Sequence, residues 1–168
     1  SRGLGDVYKR QVGNVVYQAI GSIEGGSGTD TLNGPALANT WTLVSNNSGS
    51  LNIGASTVGF SGVENLTGNS AADQFVFEPE GRLTGTLNGG TGTDTIQLSS
   101  RSDGIEIRLG SIPSITNIIA GYSAVEQVIG NGVSTSKIFG SASTTVWSVN
   151  PAGNIVVGNV VYLSLIHI

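Results

Sequence analysis

Two glycine-rich segments each carry an aspartate, and these residues are the first candidates for chemistry. The sequence GGSGTDTL at residues 25–32 recurs as GGTGTDTI at residues 89–96. Glycine adopts positive φ at little cost, so successive carbonyl groups can turn toward a hard cation, and the aspartate adds a charged oxygen. Calcium takes about six to eight oxygen ligands, so two stacked turns would have to share one ion.

A second set of side chains could support polysaccharide cleavage, which needs paired carboxylates or a cationic base beside acidic groups. The candidates are Glu78, Glu80, Arg101 and Asp103. Glu80 and Arg101 would be neighbours in a chain of regular short repeats, and we expect them to form a surface ion pair. Such exposed pairs are common and contribute under about 1 kcal/mol. We therefore expect no catalysis, and we expect Glu64 and Glu126, which recur in equivalent segments, to face outward.

The composition narrows the possible partners. Only 11% of the 168 residues are charged, against about a quarter in typical soluble domains, and 26 residues are glycine. The chain contains no cysteine, so disulfide and thiolate chemistry are excluded. Its net charge of −4 argues against nucleic acid, whose phosphates require clustered lysine and arginine. No apolar run approaches the roughly 18 residues of a membrane-spanning helix, so we expect a chain that is not transmembrane.

Both ends differ in amino-acid composition from the glycine-, threonine- and asparagine-rich chain between them. Residues 1–11 begin SRGLGDVYKR and residues 163–168 read LSLIHI, and both resemble translated sequencing-adapter read-through. On this interpretation residues 12–162 are the native part, a fragment of a longer repeat protein, and the single histidine, His167, is foreign. The alternative is that both ends are native.

Internal repeats predict the fold. Turn-like clusters recur about every 21 residues, a period typical of repeat architectures. The strand after each cluster aligns one apolar residue: Leu32, Ile53, Phe75, Ile96, Ile118 and Ile138. Leu32, Gly34 and Trp41 also recur 106 positions later as Ile138, Gly140 and Trp147. Short alternating strands in units of constant length predict stacked coils. We expect an all-β, right-handed parallel β-helix of six to seven coils, with both tryptophans buried; a β-sandwich is the alternative.

The ordered set of motifs resembles the repeat regions of giant bacterial surface proteins, the haemagglutinin-like and RTX-type (repeats-in-toxin) adhesins. GGSGTDTLN and GGTGTDTIQ match the calcium-binding nonapeptide of RTX proteins, and VENLTG and the strand DQFVF belong to the same pattern. The two nonapeptides begin at Gly25 and Gly89 and are far apart in the chain, whereas RTX nonapeptides follow one another directly. The resemblance implies a secreted or cell-surface location, a structural and adhesive role, and glycans or surface proteins as partners beside neighbouring coils of the same chain.

One pair of stacked turns is the best candidate for a calcium-binding site. The repeat spacing places Asp73 one coil from Asp94, whereas Asp30 has Leu51 in the next coil and so has no carboxylate partner. The predicted ligands are Asp73 and Asp94 with carbonyl groups of Gly89, Gly90 and Gly92. The alternative is that these are ordinary tight turns that need glycine and aspartate for backbone reasons. Two further functions stay open, a fragment of a carbohydrate-active β-helix enzyme and a calcium-dependent folding module of an exported protein.

Overall fold

The computed structural model describes residues 10–12, 15–17, 20–142, 146–150, 152 and 154–165. These residues form nineteen short strands and no helix. The strands are β1 Arg10–Val12, β2 Val15–Tyr17, β3 Ser22–Glu24, β4 Thr31–Asn33, β5 Thr40–Ser45, β6 Ser48–Ile53, β7 Ser56–Ser61, β8 Asn65–Thr67, β9 Gln74–Phe77, β10 Leu83–Asn88, β11 Thr95–Gln97, β12 Glu106–Arg108, β13 Ser114–Ile115, β14 Ile119–Ser123, β15 Gln127–Ile129, β16 Lys137–Phe139, β17 Ser148–Val149, β18 Ile155–Val157 and β19 Val160–Leu163. Most of the predicted foreign ends, residues 1–9 and 166–168, lie outside the described residues, and Leu163 pairs with Ile129.

Two large sheets face each other, and the chain passes back and forth between them. The ten-stranded sheet has the order β17-β18-β19-β15-β11-β9-β5-β6-β7-β3, and the seven-stranded sheet has the order β16-β12-β13-β14-β10-β8-β4. The hairpin β1–β2 forms a separate pair. Strands of successive passages pair in parallel, so the chain is an all-β solenoid of about four turns. The prediction of a parallel coiled chain is confirmed at this level.

Two columns of apolar side chains run along the inside of the solenoid. In the ten-stranded sheet, Trp41, Phe75, Ile96, Val128 and Tyr162 lie opposite one another in successive parallel strands. In the seven-stranded sheet, the corresponding column is Leu32, Leu66, Leu87 and Tyr122. The strands alternate buried and outward positions, which is the period-2 pattern of a sheet with one face in the core. The Trp41 and Phe75 rings stack with centroids 5.8 Å apart.

The coils are longer and fewer than the six to seven short units that were predicted. Trp41 pairs with Phe75 34 positions on, Phe75 with Ile96 after 21, Ile96 with Val128 after 32, and Val128 with Tyr162 after 34. The longer coils contain antiparallel three-stranded meanders, β5–β6–β7, β12–β13–β14 and β17–β18–β19. A meander strand looks like one more repeat unit in the sequence, because it has the same length and the same alternation.

The predicted inward column is therefore wrong except at its centre. Phe75 and Ile96 are direct neighbours in the ten-stranded sheet. Leu32 and Ile138 lie in the seven-stranded sheet, Ile53 ends a meander strand, and Ile118 lies in the turn before β14. Burial is complete in the middle of the solenoid, and both Leu32 and Ile138 at its two ends are only partly buried.

Phe75 stacks on Trp41 across two parallel strands, and replacing it tests whether successive coils pack as the structure shows. Phe75→Ala removes a fully buried ring from the centre of the inner column, and we expect the free energy of unfolding to fall by about 3–5 kcal/mol. Urea unfolding followed by tryptophan emission measures the loss. Val44→Ala, an exposed position on β5, is the matched control and should change stability by under about 0.5 kcal/mol. Equal effects of the two substitutions would contradict the packing of Phe75 on Trp41.

Candidate functional site

The predicted cation-site residues lie at one corner of the solenoid, where the chain leaves the seven-stranded sheet for the ten-stranded sheet. The turn of residues 68–73 connects β8 to β9, and the turn of residues 89–94 connects β10 to β11. Because β9 and β11 pair directly, the two turns stack, and Asp73 lies next to Asp94 as the spacing predicted. Gly90 and Gly92 adopt positive φ, at 104° and 141°, in the second of these turns.

Side-chain oxygens at this corner accept backbone N–H groups from the preceding coil. Asn39 donates from its backbone nitrogen and from Nδ2 to Asp73 Oδ1, at 2.9 Å each. Asp73 N donates to Asp94 Oδ1 at 2.8 Å, and Asp94 N donates to Glu126 Oε2 at 2.7 Å. We name the column Asn39, Asp73, Asp94 and Glu126 the corner ladder. Its hydrogen bonds are oriented along the solenoid axis and connect four successive passages of the chain.

Sequence reasoning missed Asn39, although a signal for it was present. Gly34 and Asn39 have the same five-residue separation as Gly68 and Asp73, and as Gly89 and Asp94. Each pair spans the turn between a strand of the seven-stranded sheet and a strand of the ten-stranded sheet. The common element is therefore a glycine at the start of the turn and a short side-chain oxygen just before the next strand.

The opposite corner repeats this arrangement, which corrects two predictions. Asp30 N donates to Glu64 Oε2 at 2.9 Å, so Asp30 does have a carboxylate in the next coil, and that residue is Glu64 and not Leu51. The two residues are 34 positions apart because their coil contains the meander β5–β6–β7. Glu64 and Glu126 were expected to face outward; both are instead half-buried acceptors for an aspartate N–H.

The glycine that opens each GGxGTD turn is required by the close approach of the next coil. A Cβ atom on Gly89 would overlap the carbonyl oxygen of Ala124, and a Cβ atom on Gly25 would overlap the carbonyl oxygen of Gly62. Ala124 and Gly62 both have positive φ, at 48° and 62°, and each stands two residues before the glutamate of its corner. The two recurring motifs, GGxGTD and the segment ending in Val-Glu, are thus contact partners.

Burial changes the electrostatics of the corner ladder. Asp73 is 2% exposed and Asp94 is fully buried, and the Oδ2 atom of each has no hydrogen-bond partner among the described residues. Burial raises the pKa of Asp73 to about 6, against the hydrogen bonds from Asn39, which lower it. Burial also raises the pKa of Asp94, and the negative charge of Glu126 adds to this effect. A proton or a cation at these oxygens would relieve an unfavourable buried charge.

The donor set meets the requirements of calcium only in part. The Oδ1 atoms of Asp73 and Asp94 already accept N–H groups, which leaves one Oδ2 atom from each aspartate. The Gly89 carbonyl oxygen and Asp73 Oδ2 both lie close to the position that a Cβ atom on Gly68 would occupy, so the two oxygens are near each other. Among the described residues no group of three or more acidic, histidine or cysteine side chains could hold a metal ion. These three oxygens are fewer than the about six to eight that calcium takes.

The residues considered for catalysis form a structural connection. Arg101 does not pair with Glu80 as predicted; it makes a two-point pair with Asp103, with both N–O distances at 2.9 Å. Its Nη1 donates to the carbonyl oxygens of Glu78 and Gly81 in the preceding coil. The guanidinium is buried, and Glu80 instead lies 4.0 Å from Arg82 at the surface. Arg101 therefore satisfies backbone carbonyl groups at the point where two coils meet.

Comparisons with models of known protein families, with curated proteins and with solved structures found no match to this chain. Across the described residues there is no helix of the length and apolar character needed to span a membrane.

The raised pKa of Asp73 predicts a specific pH dependence of stability. The folded chain binds this proton more tightly than the unfolded chain, so the stabilising contribution is complete below about pH 3.8 and is lost as the pH rises through about 6. We expect Asp73 alone to add about 2 kcal/mol to the free energy of unfolding when the pH falls from about 7.5 to about 4.5. Asp94, whose pKa burial raises, adds to this rise, and Asp103, whose pKa is lowered by its hydrogen bond with Arg101, opposes it. Urea unfolding at a series of pH values measures this slope.

Asp73→Asn isolates the contribution of this residue. The amide keeps an oxygen that can accept the Asn39 N–H groups and does not ionise, so the part of the slope that Asp73 contributes should disappear and the part from Asp94 should remain. Glu80→Gln removes an exposed carboxylate and should leave the slope as it is. A slope that persists unchanged in Asp73→Asn would show that its source lies elsewhere.

Proposed function

We propose that this chain is a structural and adhesive repeat segment of a large secreted bacterial surface protein, located outside the cell or at its surface, without catalysis. The coil is right-handed in this proposal, because parallel crossover connections are right-handed in about 98% of cases. The observation that carries the proposal is the corner ladder, in which each coil is hydrogen-bonded to the next along the solenoid axis. Such a chain extends by adding coils, which suits a stalk.

Two clefts among the described residues have no carboxylate in their linings. One cleft of about 340 Å³ lies between β10 and the segment of residues 114–120, and one of about 410 Å³ lies beside Pro113, Val157 and Tyr162. Neither lining contains an aspartate or a glutamate. Glycosidases need two carboxylates flanking the bond that is broken.

The outward face of the ten-stranded sheet supports the adhesive part of the proposal. Thr40, Gln74, Thr95 and Gln127 lie opposite one another in four successive strands and are half-buried. Gln74 Nε2 donates to Gln97 Oε1 on the neighbouring row. A row of hydroxyl and amide groups at the strand spacing of about 4.8 Å offers donors and acceptors to the hydroxyl groups of a glycan.

Tandem display tests both parts of this proposal. One, two or three full chains joined head to tail are placed between a cell-surface anchor and a terminal fluorescent tag. The five-residue column from Trp41 to Tyr162 spans four strand spacings, so each copy should raise the tag by at least about 19 Å, measured by interference microscopy. Retention of the same cells on a printed glycan panel should rise with copy number.

The control for adhesion is Gln74→Ala with Gln127→Ala, which removes amides from the outward face and leaves the inner column intact. We expect this variant to lose glycan retention and to keep the height increment. A tag height independent of copy number would rule out the stalk, and retention equal in both variants would rule out the proposed adhesive face.

A calcium-dependent folding module is the second candidate, favoured by the two buried Oδ2 atoms without partners. If calcium binds there, a concentration about a hundred times its dissociation constant should stabilise the chain by about 2.7 kcal/mol. Calorimetric titration and thermal melts with and without calcium measure this. Asp73→Asn with Asp94→Asn should remove the effect, and Asp103→Asn, at a carboxylate outside the corner ladder, should not. No heat at millimolar calcium would exclude this function.

A further inference from the structure

The two ends of the solenoid formed by the two large sheets contain the same supersecondary unit. In the first unit, β3 and β4 are followed by the meander β5–β6–β7, whose last strand pairs in parallel with β3. In the second, β15 and β16 are followed by the meander β17–β18–β19, whose last strand pairs in parallel with β15. The final hairpin turns on Gly54 in the first unit and on Gly158 in the second, and both have φ of 58°.

Strand register gives the equivalent positions in the two units. Trp41 lies opposite Leu51, and Leu51 lies opposite Val58. In the second unit the same row is Val149, Ile155 and Tyr162. After the meander, Gly62 and Ser164 both have positive φ, and their carbonyl oxygens lie against Gly25 and Gly130. Counted from the final hairpin, Val149 is the counterpart of Trp41, although the sequence repeat pairs Trp41 with Trp147. Because β19 is two residues shorter than β7, counting from the parallel pairs Ile23–Phe60 and Val128–Tyr162 makes Val149 the counterpart of Leu43, which lies opposite Phe77.

The two units differ in what covers them. In the first, β8 pairs with β4 and β9 pairs with β5, so Leu66 covers Leu32 and Phe75 covers Trp41, which is fully buried. In the second, β16 and β17 are the outermost strands of their sheets. Val149 is 67% exposed and Trp147 is 43% exposed, against the predicted burial of Trp147. Phe139 and Val146 add to this exposed apolar face.

We propose that this face, formed by the free edges of β16 and β17 with Phe139, Val146, Trp147 and Val149, docks a further parallel coil of the type formed by residues 65–77. Among the described residues no strand pairs with the outer edge of β16 or of β17, so an incoming coil would extend both sheets and meet an apolar interior at the same time. The coil would place a leucine against Ile138 and an aromatic residue against Val149, with Trp147 covered beside it. This inference rests on the proposed repeat-segment function and names the sequence type that its next coil must have.

A graft onto the full chain tests the docking face. Residues 62–88 are copied after Leu163 in place of residues 164–168, because Ser164 is the counterpart of Gly62. The chain has two tryptophans, and only Trp147 is exposed. Iodide should therefore quench one tryptophan in the parent chain and neither in the graft, and the midpoint of thermal unfolding should rise.

The matched control is the same graft with Leu66→Asp and Phe75→Asp in the copied segment only. It should leave Trp147 open to iodide and the melting midpoint at the parent value. A second pair of variants, Trp147→Ser and Val149→Thr, should leave the stability of the parent chain nearly unchanged and abolish the gain from the graft, since these side chains are exposed in the parent.

Three outcomes would overturn the inference. Trp147 could stay open to iodide in the intact graft, or the graft and its Asp control could behave alike. Alternatively, the parent chain could protect Trp147 by itself as its concentration rises, with larger species in sedimentation, which would make a second copy the occupant. Failure here with a normal height increment in tandem display would remove the docking face and leave the stalk function in place.

Discussion

The constraint on which this structure depends is that no coil can satisfy its own backbone. A strand outside the meanders has N–H and C=O groups on both edges, and the coils before and after it pair with them; a meander pairs its own strands but leaves one edge of each outer strand to a neighbouring coil. The apolar column from Trp41 to Tyr162 and the ladder of backbone hydrogen bonds therefore form together or not at all. Burial is complete where a coil has neighbours on both sides and partial at β4 and β16, which have a neighbour on one side.

Sequence periodicity predicted the fold class correctly and the length of a coil wrongly. Both outcomes have the same physical reason. Alternation of apolar and polar residues shows that a segment is a strand with one buried face, whichever partner it has. It does not show whether the next strand pairs in parallel across a whole coil or antiparallel with the strand just before it. The segment of residues 65–86 has no inserted meander, so the separation of Asp73 from Asp94 was predicted correctly. Asp30 was assigned the wrong neighbour because its coil contains β5–β6–β7.

The corner residues supply register that apolar columns alone do not. A parallel strand that slips by two residues keeps its apolar side chains facing inward, so hydrophobic burial discriminates weakly between the two pairings. An aspartate that accepts the N–H of one particular residue in the preceding coil is satisfied in a single register. In any other register, Asp73 and Asp94 would be buried without these bonds, at a cost of several kcal/mol. The buried carboxylates lower the stability of the native coil and raise the energy of slipped coils further.

The same reasoning explains why one motif serves two different corners. The turn at residues 25–30 leads into β4 of the seven-stranded sheet, and the turn at residues 89–94 leads into β11 of the ten-stranded sheet. Each needs a glycine that lets a carbonyl oxygen of the next coil approach, and an aspartate whose N–H meets a glutamate after Val63 or Val125. These requirements are local to two adjacent coils and do not depend on which sheet follows. The interval from Gly25 to Gly89 is not a whole number of coils, yet it is compatible with one continuous solenoid. The unit that recurs in the sequence is the contact between two adjacent corners, and it is not one complete turn of the solenoid.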